Sequence, residues 1–319
     1  MKTSKCLVVI PTYNRAAQAL KAAEAALAQT YDTLEVVVVD DGSTDDTSSR
    51  LQPLFDDPRF MYIRLANNHG TAAAKNVALA LCDFDAVTFH DSDDIPDPNK
   101  VLLQQRALFL PSVTAADCLN WTAIGKTPNQ RIDVDAALTQ HILIRGDGCL
   151  LHVTRTLSLV DDFFPNLQMA AGPSGDWILI NSGLFRRSVF TRLGGYELSI
   201  EEDRDLRNRL IMDGRIVWVV DRPLVTKIET ADSLTVQPET NYASAKRQRD
   251  RAHIWERISQ WRATGVVAVV PLELSTITVS FATRASQLQV AADIPMTKAT
   301  RERLELCLAS LFHVERRVA

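Results

Sequence analysis

The chain has 319 residues, of which 46% are hydrophobic and 23% are charged, an ordinary composition for a soluble enzyme. This length is enough for one large domain, or for one large domain and a smaller one. The formal net charge of −4, from 35 basic and 39 acidic side chains, argues against nucleic-acid binding through bulk electrostatic attraction.

Short apolar runs alternate with helix-forming segments through the first third of the chain. The apolar runs predict buried strands over 6–10, 34–43, 60–66 and 86–94. Between them, the alanine-rich segment 16–30 and the segment 70–82 predict helices, and Ser43 followed by Asp46 suggests a capping box that starts another helix. Continuous apolar strands that alternate with helices indicate βαβ units and a parallel sheet.

Polar side chains follow these strands at the points where the strands are predicted to end. They are Thr12 and Tyr13 after the first strand, Asp40 and Asp41 after the second, and Asp91 and Asp93 after the last. In parallel α/β sheets, ligands bind at the carboxyl ends of the strands. The sequence therefore predicts a ligand site at this edge of the sheet.

The spacing of Asp91 and Asp93 suggests a metal site. On an extended chain they share one face, about 6.6 Å apart at Cα. Two such carboxylates need a positive partner, and Mg²⁺ or Mn²⁺ takes only one or two protein carboxylates when phosphates supply its other ligands. An isolated Asp-x-Asp is more often a solvated turn. Here its position at a strand end, together with the pair Asp40–Asp41 at another, favours the metal site.

Six segments in order carry a family resemblance. They are VVIPTYNR (8–15), EVVVVDDGSTDDT (35–47), NNHGTAAAKNVALA (67–80), FHDSDD (89–94), LINSGLFRRSVFTRLGGYE (179–197) and EEDRDLRNRLIMDGRIVWV (201–219). In order and spacing they resemble the GT-A core and the acceptor-side segments of family 2 glycosyltransferases. The resemblance implies an α/β fold of the GT-A type, in which a Rossmann-like, mixed nucleotide-binding sheet is flanked by helices. It also implies metal-dependent, inverting sugar transfer.

The resemblance assigns roles at the predicted sheet edge. The implied nucleotide-sugar site comprises Pro11, Thr12, Tyr13, Arg15, Asp40, Asp41, Lys75, Asp91 and Ser92. Asp93 would hold Mn²⁺ or Mg²⁺, and Asp91 would reach the ribose or share the ion. Asp40 is the first choice for accepting a pyrimidine N–H, with Asp41 as the alternative. Tyr13 would stack on the base.

Each role has a simpler structural alternative. Tyr13 could flank the core, and the Asp40–Asp41 pair could form an Asx turn before the helix. Lys75 stands where the family usually has an arginine, and could face the phosphate or base or be a plain surface lysine. Relatives often carry a histidine after the acceptor-side helix, but the corresponding segment here, 223–235, has none. The full set of metal ligands therefore stays open.

An acidic helix start supplies the predicted catalytic base. Glu201, Glu202 and Asp203 precede or begin a helix, where acids also stabilise the helix dipole. Because Glu202-Asp203 matches the family's Glu-Asp pair, the resemblance implies Asp203 as the base, with Glu202 in support. Upstream, Trp177 is either a sugar-stacking ring or a core residue, and Asp176 beside it is a further acceptor candidate.

The family match suggests a domain division. It predicts a glycosyltransferase domain over 1–235, with a nucleotide half of about 1–110 and an acceptor half of about 111–235. A mainly helical C-terminal extension, 236–319, would follow, with helices over 241–261 and 297–312 and short strands over 266–270 and 275–282. The extension could cap the acceptor or form a homodimer. Its basic, aromatic first helix could instead touch a membrane surface, although core packing is commoner.

The predicted partners are a nucleotide-sugar donor and a saccharide or lipid-linked acceptor, without nucleic acid. Five cysteines without a CxxC pair favour a reducing compartment. The first apolar run reaches Pro11 after five residues, too few for a secretory signal. We therefore expect a cytoplasmic protein, either free or peripheral at the inner face of the membrane. Two rival functions are a sugar nucleotidyltransferase, against which the glycine-free loop PTYNRAA counts, and an inert nucleotide-binding protein.

Overall fold

The computed structural model describes residues 4–109, 129–153, 180–230, 236–272, 274–284 and 288–308, together with positions 114, 127, 233 and 234. The strands are β1 (Cys6–Thr12), β2 (Leu34–Asp40), β3 (Phe60–Leu65), β4 (Ala86–Phe89), β5 (Asp94–Pro96), β6 (Ala136–Ile144), β7 (Leu150–Val153), β8 (Leu184–Arg186), β9 (Val217–Ile228), β10 (Thr278–Arg284) and β11 (Leu288–Pro295). The helices are α1 (Ala16–Leu27), α2 (Thr47–Leu51), α3 (Thr71–Leu81), α4 (Lys100–Leu108), α5 (Arg187–Leu193), α6 (Glu202–Met212), α7 (Ala245–Thr264) and α8 (Lys298–Leu308).

The chain divides into two compact units. The first combines Met1–Asp94 with Pro271–Ala319, and the second is Ile95–Val270. Neither boundary coincides with the predicted division at residue 235. The roles predicted for the nucleotide half and the acceptor half stay predictions. In the first unit, the residues predicted as part of a C-terminal extension belong to the same body as the N-terminal strands.

The first unit is an α/β sheet with the strand order β11-β10-β3-β2-β1-β4. Strands β1 to β4 pair in parallel, as predicted, whereas β10 pairs antiparallel with both β3 and β11. Every residue of β1 and β2 is buried. This is expected because helices cover both faces of a parallel sheet, so neither face of these strands is open to solvent. The mixed α/β fold predicted from the sequence is confirmed.

A buried ion-pair network fastens β10 to the N-terminal strands. The Arg284 guanidinium donates to both carboxylate oxygens of Glu35, at 2.6 and 3.3 Å, and to the carbonyl of Leu308 at 2.9 Å. The Lys5 ammonium lies 2.9 Å from the same carboxylate. Burial alone would raise the pKa of Glu35, but Arg284 and Lys5 hold that pKa below its ordinary value. The network therefore keeps a charged carboxylate inside the unit.

The second unit is built around β6. It pairs in parallel with β9 on one side, and on the other side it pairs antiparallel with β8 at its start and with β7 at its end. Helix α7 packs its apolar side inward: Ile254, Ile258 and Trp261 are buried against Met212 and Val267. The core-packing alternative for this helix is therefore the observed one, and its aromatic face offers no support for membrane docking. Membrane contact and a homodimer stay predictions.

Three local predictions were wrong in detail. Helix α2 begins at Thr47 with Asp46 as its N-cap and without a side-chain cap, because Ser43 is held in the preceding turn. Segment 266–270 forms no strand and makes only a single bridge from Val270 to Gly194. The stretch 86–94 is a strand only to Phe89. Among the helices of the described residues, none is long and apolar enough to cross a membrane.

Candidate functional site

The loops after β1, β2 and β4 bring the predicted nucleotide-site residues to one edge of the first unit. Thr12 at the end of β1 pairs in register with Asp40 at the end of β2, and β4 runs parallel on the other side of β1. Pro11 and Thr12 are buried within β1, and the hydroxyl of Thr12 has no hydrogen-bond partner among the described residues. Tyr13 is 43% exposed. It is therefore no core residue, and its ring is accessible for stacking.

Hydrogen bonds lock the β1 and β2 loops together. The backbone N–H of Asn14 donates to the Ser43 hydroxyl at 2.9 Å, and the Thr44 N–H donates to the Asn14 side chain at 2.7 Å. Asn14 takes the left-handed conformation, with φ of 51°. Asparagine tolerates this conformation better than most residues do. The two hydrogen bonds then fix the chain reversal between Tyr13 and Arg15.

The two aspartates after β2 face different partners. One Asp40 oxygen accepts from the Ser43 N–H at 2.8 Å and the other from the Tyr62 hydroxyl at 2.6 Å. The Asp40 side chain is fully buried. The Ser43 contact is a side-chain-to-backbone turn of the kind that the simpler interpretation anticipated. The geometry shows Asp40 positioning the turn, and it leaves the choice between Asp40 and Asp41 for the base open.

Asp41 holds the loop that precedes α3. Its two oxygens accept from the backbone N–H groups of His69 and Gly70, at 2.8 and 2.7 Å. Burial raises the pKa of the Asp41 carboxyl to about 6, and the neighbouring Asp40 adds to this, while the two N–H donors oppose it. The loops approach closely at Gly42 as well, where φ is +77° and a Cβ would lie 2.7 Å from the backbone carbon of Asn67.

The raised pKa of Asp41 predicts a pH dependence of stability. Because its folded-state pKa of about 6 lies above the ordinary value of 3.8, the favourable contribution is complete below about pH 4 and is lost as the pH rises through 6. The loss for this group is of the order of 2–3 kcal/mol. Urea unfolding at pH 4 to 7 should show this slope in the wild type and lose it in Asp41→Asn.

The exposed Asp46→Asn variant, with 57% of its side chain accessible, is the matched control and should keep the wild-type slope. Parallel stability curves for wild type and Asp41→Asn would show that Asp41 titrates normally in the folded protein.

Lys75 is buried on α3 and is not the surface lysine of the simpler interpretation. Its side chain is fully buried, and its ammonium lies 5.7 Å from the centre of the Phe89 ring. A buried ammonium is normally paired. The lysine therefore belongs to the interior behind β4, and a direct contact with phosphate or base stays a prediction.

The acidic segment after β4 is a turn and not an extended chain. The strand ends at Phe89, and the Asp94 N–H donates to the Asp91 carbonyl at 3.1 Å, which closes a turn around Ser92 and Asp93. The expectation that Asp91 and Asp93 share one strand face is therefore wrong, because the strand stops before them. Both carboxylates are partly exposed, while Ser92 is 7% exposed.

An ion pair joins the β1 loop to this turn. The Arg15 Nη1 lies 3.2 Å from Oδ2 of Asp93, and both side chains are mostly buried, at 18% and 9% exposure. The residue predicted to bind nucleotide thus contacts the residue predicted to bind metal. The two lie 78 positions apart, and the sequence analysis did not pair them. The sequence offered one indication of this contact, namely that both residues were assigned to the same site.

The donor set at the turn fits one kind of cation site. Within the described residues, no group of three or more His, Cys, Asp or Glu side chains is arranged to hold a metal. Asp91 and Asp93 supply only hard carboxylate oxygens, which suits Mg²⁺ or Mn²⁺ with most ligands from diphosphate and water. These residues fit such an ion, and they do not fit a closed site made of protein ligands alone.

The predicted base lies at the start of α6 in the second unit. Asp203 is partly exposed, and its Oδ1 accepts from the Arg204 N–H at 2.7 Å, while Glu202 is 8% exposed. Partial exposure leaves Asp203 accessible, as a proton acceptor must be. Glu201 is the N-cap and makes no side-chain cap hydrogen bond, whereas Glu202 and Asp203 lie in the first turn, where acids also stabilise the helix dipole, so this simpler role stays open.

Glu201 is the centre of an arginine cluster that the sequence analysis did not identify. Its carboxylate, 2% exposed, lies 2.8 Å from Arg247, 3.3 Å from Arg251 and in contact with Arg204. Although burial would raise the pKa of Glu201, these arginines hold it below its ordinary value. Arg247 and Arg251 are four positions apart on α7, so their helical spacing was the available signal. Trp177 and Asp176, the proposed acceptor contacts, lie outside the described residues.

Comparisons with known proteins agree with this fold. Residues 7–141 match the family described as Glycosyl transferase family 2. An uncharacterized glycosyltransferase of Rickettsia bellii is 36% identical over 104 residues, which are 33% of this chain and 15% of that protein. Glycosyltransferase GlyG of Streptococcus pneumoniae is 35% identical over 95 residues, 30% of this chain and 32% of that protein. The matches thus span at most about a third of either relative.

A solved structure extends the likeness of the fold. TarS of S. aureus, residues 1–349 in complex with UDP-GlcNAc, superposes with a TM-score of 0.56 at 20% identity, over 80% of this chain and 66% of that one. At this identity the likeness concerns the fold. At 80% of this chain, the superposition extends beyond the residues that the family match includes.

Proposed function

We propose that the protein transfers a sugar from a nucleotide-sugar donor to a hydroxyl of a saccharide, lipid-linked or other acceptor, because residues 7–141 match the family described as Glycosyl transferase family 2. The observation that carries the proposal is the convergence of Tyr13, Arg15 and Asp93 at the carboxyl edge of the first unit, with an exposed ring beside charged groups. This edge is where ligands of α/β sheets bind.

The residues of the first unit would bind the donor. The exposed Tyr13 ring stacks on the base, and Asp40 or Asp41 accepts the N3–H of a pyrimidine, so UDP or dTDP is expected over GDP. Both carboxylates already accept one N–H or O–H at each oxygen. Since a carboxylate oxygen offers two lone pairs, a further donor from the base can still be accepted.

Asp93 and Asp91 are the residues that would hold Mn²⁺ or Mg²⁺ beside the diphosphate. When bound, such a cation offsets the negative charge that grows on the leaving group as the anomeric bond breaks. The carboxylates contribute by fixing the ion at the turn after β4, whose shape is set by the Asp94–Asp91 backbone hydrogen bond.

Residues of the second unit would activate the acceptor. Asp203 takes the proton of the acceptor hydroxyl as the oxygen attacks, and Glu202 supports it or contacts the acceptor. Trp177 and Asp176 would contact the acceptor. One base that activates one hydroxyl produces a single in-line displacement, which inverts the anomeric configuration.

A binding panel tests the proposal. Purified protein is titrated with UDP, dTDP, CDP and GDP and with their sugars, with and without Mn²⁺, and melting temperature and calorimetric affinity are recorded. We expect Mn²⁺-dependent binding of UDP or dTDP. A preference for GDP would contradict the base assignment, and the absence of binding to every nucleotide would contradict the proposed function.

Asp93→Asn should remove most of the Mn²⁺-dependent gain in UDP affinity. Loss of residues that merely orient metal ligands lowers metal affinity by about 10–100-fold, so loss of a ligand should cost at least as much. Calorimetry of UDP with and without Mn²⁺ measures the gain, and the exposed Asp46→Asn serves as the control. If Mn²⁺ strengthens UDP binding by the same factor in Asp93→Asn and wild type, the ion is held elsewhere.

A further inference from the structure

The Arg15–Asp93 ion pair brings together two groups with different proposed ligands. Arg15 stands between the end of β1 and the start of α1, and Asp93 stands in the turn after β4; their side chains meet at 3.2 Å. At this distance the guanidinium donates a hydrogen bond to Oδ2 of Asp93. The cation would bind the same carboxylate.

We propose that Arg15 competes with the divalent cation for Asp93 in the nucleotide-free protein and turns to the diphosphate when the donor binds. This inference rests on the proposed function, and it concerns its regulation. Arg15 thereby acts as a coupling residue: it weakens binding of the ion alone and strengthens binding of the ion and nucleotide together.

Charge repulsion disfavours simultaneous binding of Arg15 and the cation to Asp93. A guanidinium and a divalent cation that share one carboxylate repel each other, so an ion that enters must displace Arg15 or bind beside it at a cost. A diphosphate changes this balance, because its oxygens match the planar fork of arginine and form two parallel hydrogen bonds with it. The nucleotide therefore supplies Arg15 with a second partner and releases Asp93 to the ion.

The backbone around Arg15 is held by hydrogen bonds. The Arg15 carbonyl accepts from the Ala19 N–H at 2.8 Å in the first turn of α1, and the preceding Asn14 is tied to Ser43 at 2.9 Å. The proposed change of partner concerns the Arg15 side chain and leaves these backbone contacts in place. Because coupling between two ligands is reciprocal, removing Arg15 must change the effect of Mn²⁺ on UDP affinity and the effect of UDP on Mn²⁺ affinity by the same factor.

The test compares Arg15→Gln with wild type by calorimetry, using Mn²⁺ alone, UDP alone, and UDP with Mn²⁺. Arg15→Gln should bind Mn²⁺ alone about three- to ten-fold more tightly, since the guanidinium that competes for Asp93 and repels the ion is gone. It should bind UDP roughly ten-fold more weakly, since a charged hydrogen-bond donor to the phosphates is lost. The two changes have opposite signs.

Two further variants make the result specific. Arg50→Gln removes the same charge at an exposed ion pair of the same unit, where both side chains are 57% accessible, and it should change neither affinity. Arg15→Lys keeps the charge without the planar fork, so Mn²⁺ alone should bind as in wild type while UDP binds more weakly. If Arg15→Gln does not fold, Arg15→Met, which also removes the charge, takes its place in the same titrations.

The outcomes separate the two proposals. Wild type that binds neither UDP nor Mn²⁺ would overturn the proposed function and this inference with it. Wild type that binds both, while Arg15→Gln weakens both or leaves Mn²⁺ affinity unchanged, would overturn the competition alone and leave the function standing.

Discussion

Asp203→Asn is expected to lower the rate of sugar transfer by about 10²–10⁴-fold, the usual contribution of a general base, with donor affinity close to wild type. The amide keeps the size of the carboxylate and can still accept the Arg204 N–H at Oδ1, now 2.7 Å away, but it cannot take up the acceptor proton. Rates are measured with the acceptor found for the wild type, and donor affinity by calorimetry with UDP.

The exposed Glu239→Gln of the same unit is the control for loss of one negative charge, and it should turn over normally. The product should have the anomeric configuration opposite to that of the donor. Wild-type turnover by Asp203→Asn, or retention of configuration, would place the base elsewhere, with Glu202 the next candidate. Slow metal-dependent hydrolysis of the donor by wild type would still distinguish an enzyme from an inert binding protein.

Arg284→Met should lower the free energy of unfolding by about 3–5 kcal/mol, the loss typical when one partner of a buried ion pair is removed. Arg284 is 3% exposed and donates to Glu35, which is equally buried. Its removal leaves the Glu35 carboxylate with Lys5 at 2.9 Å as its remaining cation in the network. The loss also frees the Leu308 carbonyl of α8. Urea unfolding followed by circular dichroism measures the change.

A double variant identifies the cause. Glu35→Met combined with Arg284→Met removes both charges and should recover part of the lost stability, because replacing a whole buried pair with apolar groups is often nearly neutral. Arg50→Gln, at an exposed pair, should leave the free energy of unfolding close to that of the wild type. A loss of less than about 1 kcal/mol in Arg284→Met would show that the pair contributes as little as a surface one.

The local sequence predicted the core strands well, and it failed where distant residues decide the structure. The valine run of β2 and the apolar run of β1 predicted buried strands, and both are buried strands in the structure. By contrast, the pairing of β10 with β3 depends on residues more than 200 positions apart. Nothing in the pattern of 278–284 alone indicates which strand it joins.

The candidate site shows the same division. The prediction that Thr12 and Asp40 follow parallel strands placed both at one edge of the sheet, and the structure pairs them in register. The end of β4 at Phe89, the contact of Arg15 with Asp93 and the burial of Lys75 follow instead from hydrogen bonds and packing in three dimensions. Residue types and order predict which groups belong to a site, whereas the pairing among those groups is set by the folded backbone.

The first unit is built from two segments that lie far apart in the chain, and this affects how it forms during synthesis on the ribosome. Its N-terminal part ends at Asp94, yet the strand that pairs with β3 ends only at Arg284, so 284 − 94 = 190 residues must be translated in between. At about 5–20 residues per second, the edge of β3 and the Glu35 carboxylate wait roughly 10–40 s for their partners. An unpaired strand edge invites aggregation, so the nascent chain should depend on chaperone protection during this interval.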